Sequence, residues 1–340
     1  MEQATRAVMP RPYEIEIQSY PIGEPGPGQI LMTNEASAIS AGTELAVYTG
    51  VHQWLNDPTR TWPRFPFTPG YSGVGRVAAL GAGVTGYAVG DRLIYEARHE
   101  SHGIINDANG KALIARLGDD IPAQIAAFAT LARFPLTALV QSGPIVGQSV
   151  AVFGLGQIGQ IALRLYAAAG AYPLFGIDPV AARRTAAERT PGVTAIDSQV
   201  PDLRAALREH NGGQLPDIVV DATGVPNVVN AAMEVVADGG KVVMVGSPRG
   251  VAGNVDFYWN LHGRSIQLIG AHGSAIGIDA REKFPFVRER ALRLLVHFLE
   301  SGKLKIDDLI THYVHGSEIQ AMYDGLLKQT DTFISVAVHW

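Results

Sequence analysis

The chain contains no cysteine. That one absence excludes disulfides, thiolate zinc sites, iron–sulfur clusters and cysteine nucleophiles. Long hydrophobic runs are missing too. None reaches the ~18–20 residues that a membrane span needs, so no membrane partner is expected. Neither sign of charge dominates. Lys and Arg number 27, Asp and Glu 32, for a net charge of −5. Basic residues form local pairs such as Arg183-Arg184 but no tract, so nucleic acid is not an expected partner. Residues 1–12, MEQATRAVMPRP, lack the charged-then-apolar pattern of a secretory signal, and the expected location is the cytoplasm. Repeats and low-complexity segments are absent.

What is present is an ordinary globular composition, 47% hydrophobic and 17% charged, in 340 residues, long enough for two domains. The organising stretch is 149–178, SVAVFGLGQIGQIALRLYAAAGAYPLFGID. Its apolar run 150–153 reads as a buried parallel strand. Gly154-x-Gly156-x-x-Gly159 follows. Gly154 permits a tight strand-to-helix turn, Gly156 leaves room for a pyrophosphate, and Gly159 lets helix and strand approach. Gln157 and Ile158 open the helix, whose free N–H groups and positive dipole end suit phosphate. Asp178 lies nineteen residues after Gly159, where a carboxylate accepts bonds from the adenosine ribose. Such a carboxylate repels the 2′-phosphate of NADP, so NAD is the expected cofactor. Arg183 is placed either along the ribose or on a solvated helix face.

Residues 149–272 alternate strand and helix, which indicates a doubly wound parallel sheet. Strand 218–221 runs into Ala222, Thr223 and Gly224. Strand 241–245 ends in Val245, Gly246 and Ser247. Strand 266–269 ends in Gly270, Ala271 and His272. Ligands bind at the carboxyl ends of such strands, and small residues there let a flat cofactor approach. The first 118 residues read mostly as short β-strands separated by Gly and Pro turns, including 13–17 and 29–34, which suggests a small barrel. A helix is predicted over 121–142 with Pro135 as a break or kink, an amphipathic helix over 288–299, and a closing strand over 333–338.

PGYSGVGRVAALGAGVTGYAVGDRL at 69–93 resembles the signature GHExxGxVxxxGxxVxxxxxGDRV of the medium-chain dehydrogenase/reductase family. AGTEL at 41–45 resembles its CGTDL segment. VAVFGLGQIG, DIVVDATG and GGKVVMVGS match its cofactor domain. The likeness covers nearly the whole chain. It implies an α/β fold, a Rossmann sheet plus a GroES-like β-barrel, with the active site in the cleft between. The expected division is 1–120 for the GroES-like domain, 121–272 for the Rossmann domain, and 273–340 as a return completing the first. Family habit implies a homodimer or homotetramer.

The departures bear on chemistry. In zinc-dependent relatives the cysteine of CGTD and the His-Glu of GHE stand at the metal; here the places hold Ala41, Tyr71 and Ser72. The third ligand position falls near Arg133. A catalytic zinc needs three protein ligands and an open position, so no zinc is expected. The pattern is similar to a zinc-less branch that includes proteins labelled bacteriochlorophyllide hydroxyethyl dehydrogenases and alcohol dehydrogenases. Without a metal, a developing alkoxide needs hydrogen-bond donors. Thr43 matches the family's proton-relaying hydroxyl, Tyr71 replaces the zinc histidine, and Ser40 is adjacent. Each has an ordinary alternative: Thr43 as a helix N-cap, Tyr71 as core filling, Ser40 as a strand-end hydroxyl. The loop 51–67, with His52, Trp54, Trp62, Phe65 and Phe67, lines a substrate pocket or packs on itself. His99 and His102 read as solvated loop residues, His262 and His272 as structural or solvent-facing. The expected function is a zinc-independent, NAD-dependent dehydrogenase of a small-molecule secondary alcohol or ketone. An enoyl or quinone reductase, and a non-enzymatic redox sensor, are the alternatives.

Overall fold

Short, unbroken apolar runs need burial on both faces, and one sheet of the protein provides it. The computed structural model describes residues 3–106, 112–273 and 287–340. Contacts divide the chain into two units, Ala132–Ile276, and Met1–Leu131 with Gly277–Trp340.

In the unit Ala132–Ile276, six strands stand in the order Val193–Ile196, Leu174–Ile177, Val150–Phe153, Ile218–Asp221, Lys241–Met244, Gln267–Gly270. Every pair is parallel. This is the doubly wound order, with its reversal between Val150–Phe153 and Ile218–Asp221. All residues of those two strands are buried. Helix Gln157–Ala168 follows the first strand and buries Ile161, Leu163, Leu165 and Tyr166. Phe153, Phe175, Val219, Val242 and Met233 share one core.

The other unit holds a seven-stranded sheet around the long strand Gln29–Ala38. Gly73–Leu80, His102–Asn106 and Ser335–His339 all pair antiparallel with it. Ser335–His339 also pairs parallel with Ile310–His315. The C-terminal strands thus belong to the same sheet as the N-terminal ones. The helix Arg288–Glu300 is amphipathic, with Ala291, Leu292, Leu295, Val296 and Leu299 buried. The opening of the expected C-terminal return, 274–286, lies outside the described residues.

Several local expectations are corrected. The strand expected at 13–17 is Glu16–Pro21, paired with Gln3–Val8. Tyr13 sits at φ 63°, a left-handed conformation no strand tolerates. The helix expected over 121–142 is two helices, Ala123–Ala126 and Arg133–Ser142. Pro135 lies in the first turn of the second, where its missing N–H has no intrahelical acceptor to lose. The break falls before it, over 127–132.

Candidate active site

Two constellations stand out, one in each unit. The first gathers at the carboxyl edge of the parallel sheet. Gly154 takes φ 83°, and a Cβ there would meet Thr223 at 2.8 Å. Gly156 caps helix Gln157–Ala168 with no side chain bonded to the cap, and a Cβ built on it meets nothing within 4 Å. A Cβ on Gly159 would collide with the carbonyl oxygen of Gly154. The turn is therefore closed on its inner side and open at Gly156. Gln157 is 4% exposed, and its Nε2 has no hydrogen-bond partner among the described residues. Ile158 is half-buried behind it. An orphaned donor at a helix N-terminus beside an open glycine fits a phosphate.

The neighbouring strand ends close around this turn. Ala222 N–H donates to Phe153 O at 2.9 Å. Thr223 donates to Asp221 Oδ1 through its N–H at 2.8 Å and its hydroxyl at 2.6 Å. Gly224, at φ 68°, lies against Ser247 O. Val245 and Gly246 N–H both donate to Asp221 O. Ala271 N–H reaches Met244 O at 2.8 Å, and Gly270 is open. Asp178 is 3% exposed; Oδ2 accepts from Leu155 N–H at 2.7 Å and Oδ1 from Val180 N–H at 2.8 Å. Its carboxylate thus ties the glycine turn to the end of the next strand, and each oxygen keeps a lone pair for a further donor. Arg183 Nη1 stands 3.8 Å from Asp178 Oδ2. Asp221 is wholly buried, its Oδ2 has no partner among the described residues, and burial raises its carboxyl above the usual range.

The second constellation surrounds Tyr71. Its hydroxyl lies 2.5 Å from Ser40 Oγ. Tyr71 also lines a cavity of about 510 Å³ with Trp62, Phe67, Thr68, Glu96 and Arg98. Arg64 on that lining is held by carbonyls of its own loop, including Trp54, Leu55 and Pro63. Trp54, Trp62, Phe67 and His52 meet edge to face, with centroids 5.3–6.0 Å apart. The loop 51–67 therefore both packs on itself and forms a wall. Thr43 is the first residue of helix Thr43–Tyr48 and is half-buried; Gly42, not Thr43, is the N-cap.

The expectation that His99 is solvated is corrected. It is fully buried, with Nδ1 2.8 Å from Ser37 Oγ and Nε2 2.9 Å from Glu44 Oε2. The sequence reading missed Glu44, Ser37, Tyr323 and Trp340, which complete this network. Their separations of tens to hundreds of residues leave no local signal; only Glu44, inside AGTEL, stood near a recognised motif. His262 is exposed and stacks on Tyr258.

Among the described residues, no three His, Cys, Asp or Glu side chains group as metal ligands. The zinc positions implied by the resemblance carry Ala41, Tyr71 and Ser72, with the third ligand place near Arg133. Ser72 is buried and donates to Ala127 O. This donor set does not fit zinc.

A glycine-turn cradle on a doubly wound sheet, in one chain with a GroES-like β unit, defines a dinucleotide-using dehydrogenase class. Comparison with known proteins agrees. The "Alcohol dehydrogenase GroES-like domain" model matches residues 26–142, and the "Zinc-binding dehydrogenase" model residues 158–289. L-threonine 3-dehydrogenase of Pyrococcus furiosus is 26% identical over 333 residues, covering 89% of each chain. Erythritol/L-threitol dehydrogenase of Mycolicibacterium smegmatis is 24% identical, covering 95% of this chain and 94% of its own. The structure of 2R,3R-butanediol dehydrogenase from Bacillus subtilis superposes with a TM-score of 0.84 at 20% identity, covering 99% of both. The chain belongs to the medium-chain dehydrogenase/reductase, alcohol dehydrogenase-like superfamily.

Proposed function

We propose that the protein is an NAD-dependent, zinc-independent dehydrogenase that interconverts a secondary alcohol and its ketone, on the zinc-less branch of its superfamily. The observation that carries this reading is the Ser40–Tyr71 hydroxyl pair, with Tyr71 lining the cavity and standing where the resemblance puts a zinc histidine. The relatives named above, dehydrogenases of threonine, erythritol and butanediol, support an alcohol as substrate.

A bound nicotinamide supplies the hydride acceptor or donor. The chain supplies the rest. Gly154, Gly156 and Gly159 shape the turn for the pyrophosphate, and Gln157 and the helix N-terminus offer donors to it. Asp178 faces the ribose with its remaining lone pairs, which favours NAD over NADP. Tyr71 and Ser40 give hydrogen bonds to the substrate oxygen as charge develops there, and the proton leaves or arrives at the Tyr71 hydroxyl. Thr43 contributes a third hydroxyl. Trp62 and Phe67 exclude water from the apolar part of the substrate.

The assembly we propose is a homodimer or homotetramer. Gln267–Gly270 is the edge strand of the parallel sheet and is largely exposed. Phe257, Tyr258 and Trp259, in the same unit, are each more than half exposed. An open edge and an apolar patch both favour a second copy.

The test is a screen of L-threonine, erythritol, 2,3-butanediol, 1-phenylethanol and a set of enones with NAD(H) and NADP(H), read by nicotinamide absorbance. Turnover with an alcohol and NAD supports the reading. Turnover confined to enones moves the protein to the enoyl or quinone reductases.

A further inference from the structure

The hydroxyl pair is anchored from behind by groups that never reach the cavity. Glu44 is 1% exposed and His99 fully buried. Three donors from three parts of the chain converge on the Glu44 carboxylate. Ser40 N–H reaches Oε1 at 3.0 Å; His99 Nε2 reaches Oε2 at 2.9 Å; the Tyr323 hydroxyl also donates to Oε2. Glu44 N–H in turn donates to Ser40 O at 3.0 Å. Ser40 is therefore clamped through both its own N–H and its own carbonyl to one residue. The preceding Ile39 N–H is fixed to Val336 O at 3.0 Å. With the backbone held at those points, the Ser40 Cα–Cβ bond has a fixed direction, and in its staggered rotamer Oγ stands 2.5 Å from the Tyr71 hydroxyl. Tyr71 is half-buried, whereas Ser40 is 5% exposed and held through its backbone.

His99 is itself oriented. Trp340 Nε1 donates to Ser37 Oγ at 3.0 Å, and the same oxygen lies 2.8 Å from His99 Nδ1, so the imidazole is held at both ring nitrogens. A buried carboxylate is costly unless several donors meet it, and this one meets three.

We infer that Glu44 is a positioning residue, held by His99 and Tyr323, that preorganises the Ser40–Tyr71 pair for the substrate oxygen. This rests on the hydroxyl reading proposed above. Glu44 touches neither substrate nor cofactor; it acts through Ser40. Preorganised donors stabilise developing charge better than donors that must first reorient.

Two measurements test it. Protein labelled with [ζ-13C]tyrosine reports the Tyr71 phenol, its resonance assigned by loss in Tyr71→Phe. In Glu44→Gln the side chain can no longer accept all three donors, and the Tyr71 resonance shifts or splits while those of Tyr172 and Tyr258 stay. The second is a double-mutant cycle on turnover, with NAD and the fastest of the four alcohols above. Glu44→Gln lowers kcat about tenfold alone, with KM for the alcohol little changed, and adds less than about twofold to Tyr71→Phe; coupling of this size is usual for residues sharing a hydrogen-bond network. An unmoved Tyr71 resonance, or additive losses in the double variant, overturns the inference. If Tyr71→Phe keeps full turnover, the hydroxyl reading falls instead, and the resonance still decides the positioning. Should Glu44→Gln fail to fold, His99→Gln retains the Ser40 and Tyr323 bonds and gives the same two readouts in smaller measure.

Discussion

Replacing Asp178 tests the choice of cofactor, and the geometry dictates which replacement to make. Asp178→Ala strips the acceptors from Leu155 N–H and Val180 N–H, two backbone donors with a buried partner. Leaving each unsatisfied costs about 1–3 kcal/mol, so the sheet edge is destabilised whatever happens to the cofactor. Asp178→Asn keeps the shape and one acceptor oxygen, so it leaves one of the two backbone N–H groups unsatisfied rather than both. It removes the negative charge that repels a 2′-phosphate and weakens the ribose bonds, which are worth about 1.5–3 kcal/mol each to a charged acceptor. About 1.4 kcal/mol is tenfold in affinity, so the ratio of NADPH to NADH dissociation constants falls more than tenfold. The ratio matters because loss of fold stability affects both cofactors and cancels. Fluorescence titration with each reduced cofactor measures it. A ratio unchanged in Asp178→Asn, or tighter NADPH than NADH in the unmodified protein, refutes the assignment of Asp178 to the ribose.

Thr43→Val and Tyr71→Phe each lower turnover by about 10²–10³, the usual worth of one preorganised donor, with NADH dissociation constants within about twofold; steady-state kinetics beside a binding titration decides this. Gly159→Ala puts a methyl group into the Gly154 carbonyl, so the turn must open and NADH binding is lost or the protein does not fold, read by titration and circular dichroism. Asp221 predicts a pH effect. Burial raises its carboxyl, so the folded chain keeps a proton that the unfolded chain releases near pH 3.9. The stability this gives is complete below that pH and is lost as pH rises through the folded value. Asp221→Asn cannot titrate, so it gains on the unmodified protein by up to about 1.4 kcal/mol per pH unit across that window, checked by denaturant melts from pH 4 to 8. A constant difference over that range contradicts it.

Much of this was legible because the physics was local. The run 150–153 is apolar throughout and leads straight into the glycine turn, which marks it as a buried strand, and the three glycines each stand where a Cβ meets the chain or an opening matters. Ile218–Asp221 and Lys241–Met244 were equally plain. Strand 13–17 was misplaced because alternation of Tyr13, Ile15 and Ile17 mimics a strand, whereas the left-handed Tyr13 turns the chain first. Pro135 misled because a proline reads as a helix breaker although it is accommodated in a first turn. Val193–Ile196 was not foreseen, since its pattern is short and half-buried. The Glu44–His99 network was hidden for a different reason: its members come from four distant parts of the chain and are brought together by tertiary pairing, such as that of Gln29–Ala38 with Ser335–His339.

The central claim is that hydroxyls replace a metal. The direct measurement is turnover of a secondary alcohol with NAD before and after exhaustive treatment with a chelator, alongside elemental analysis of the same preparations. The account predicts no stoichiometric zinc and unchanged turnover. About one zinc per chain, with activity lost to the chelator and restored by added Zn²⁺, would contradict it.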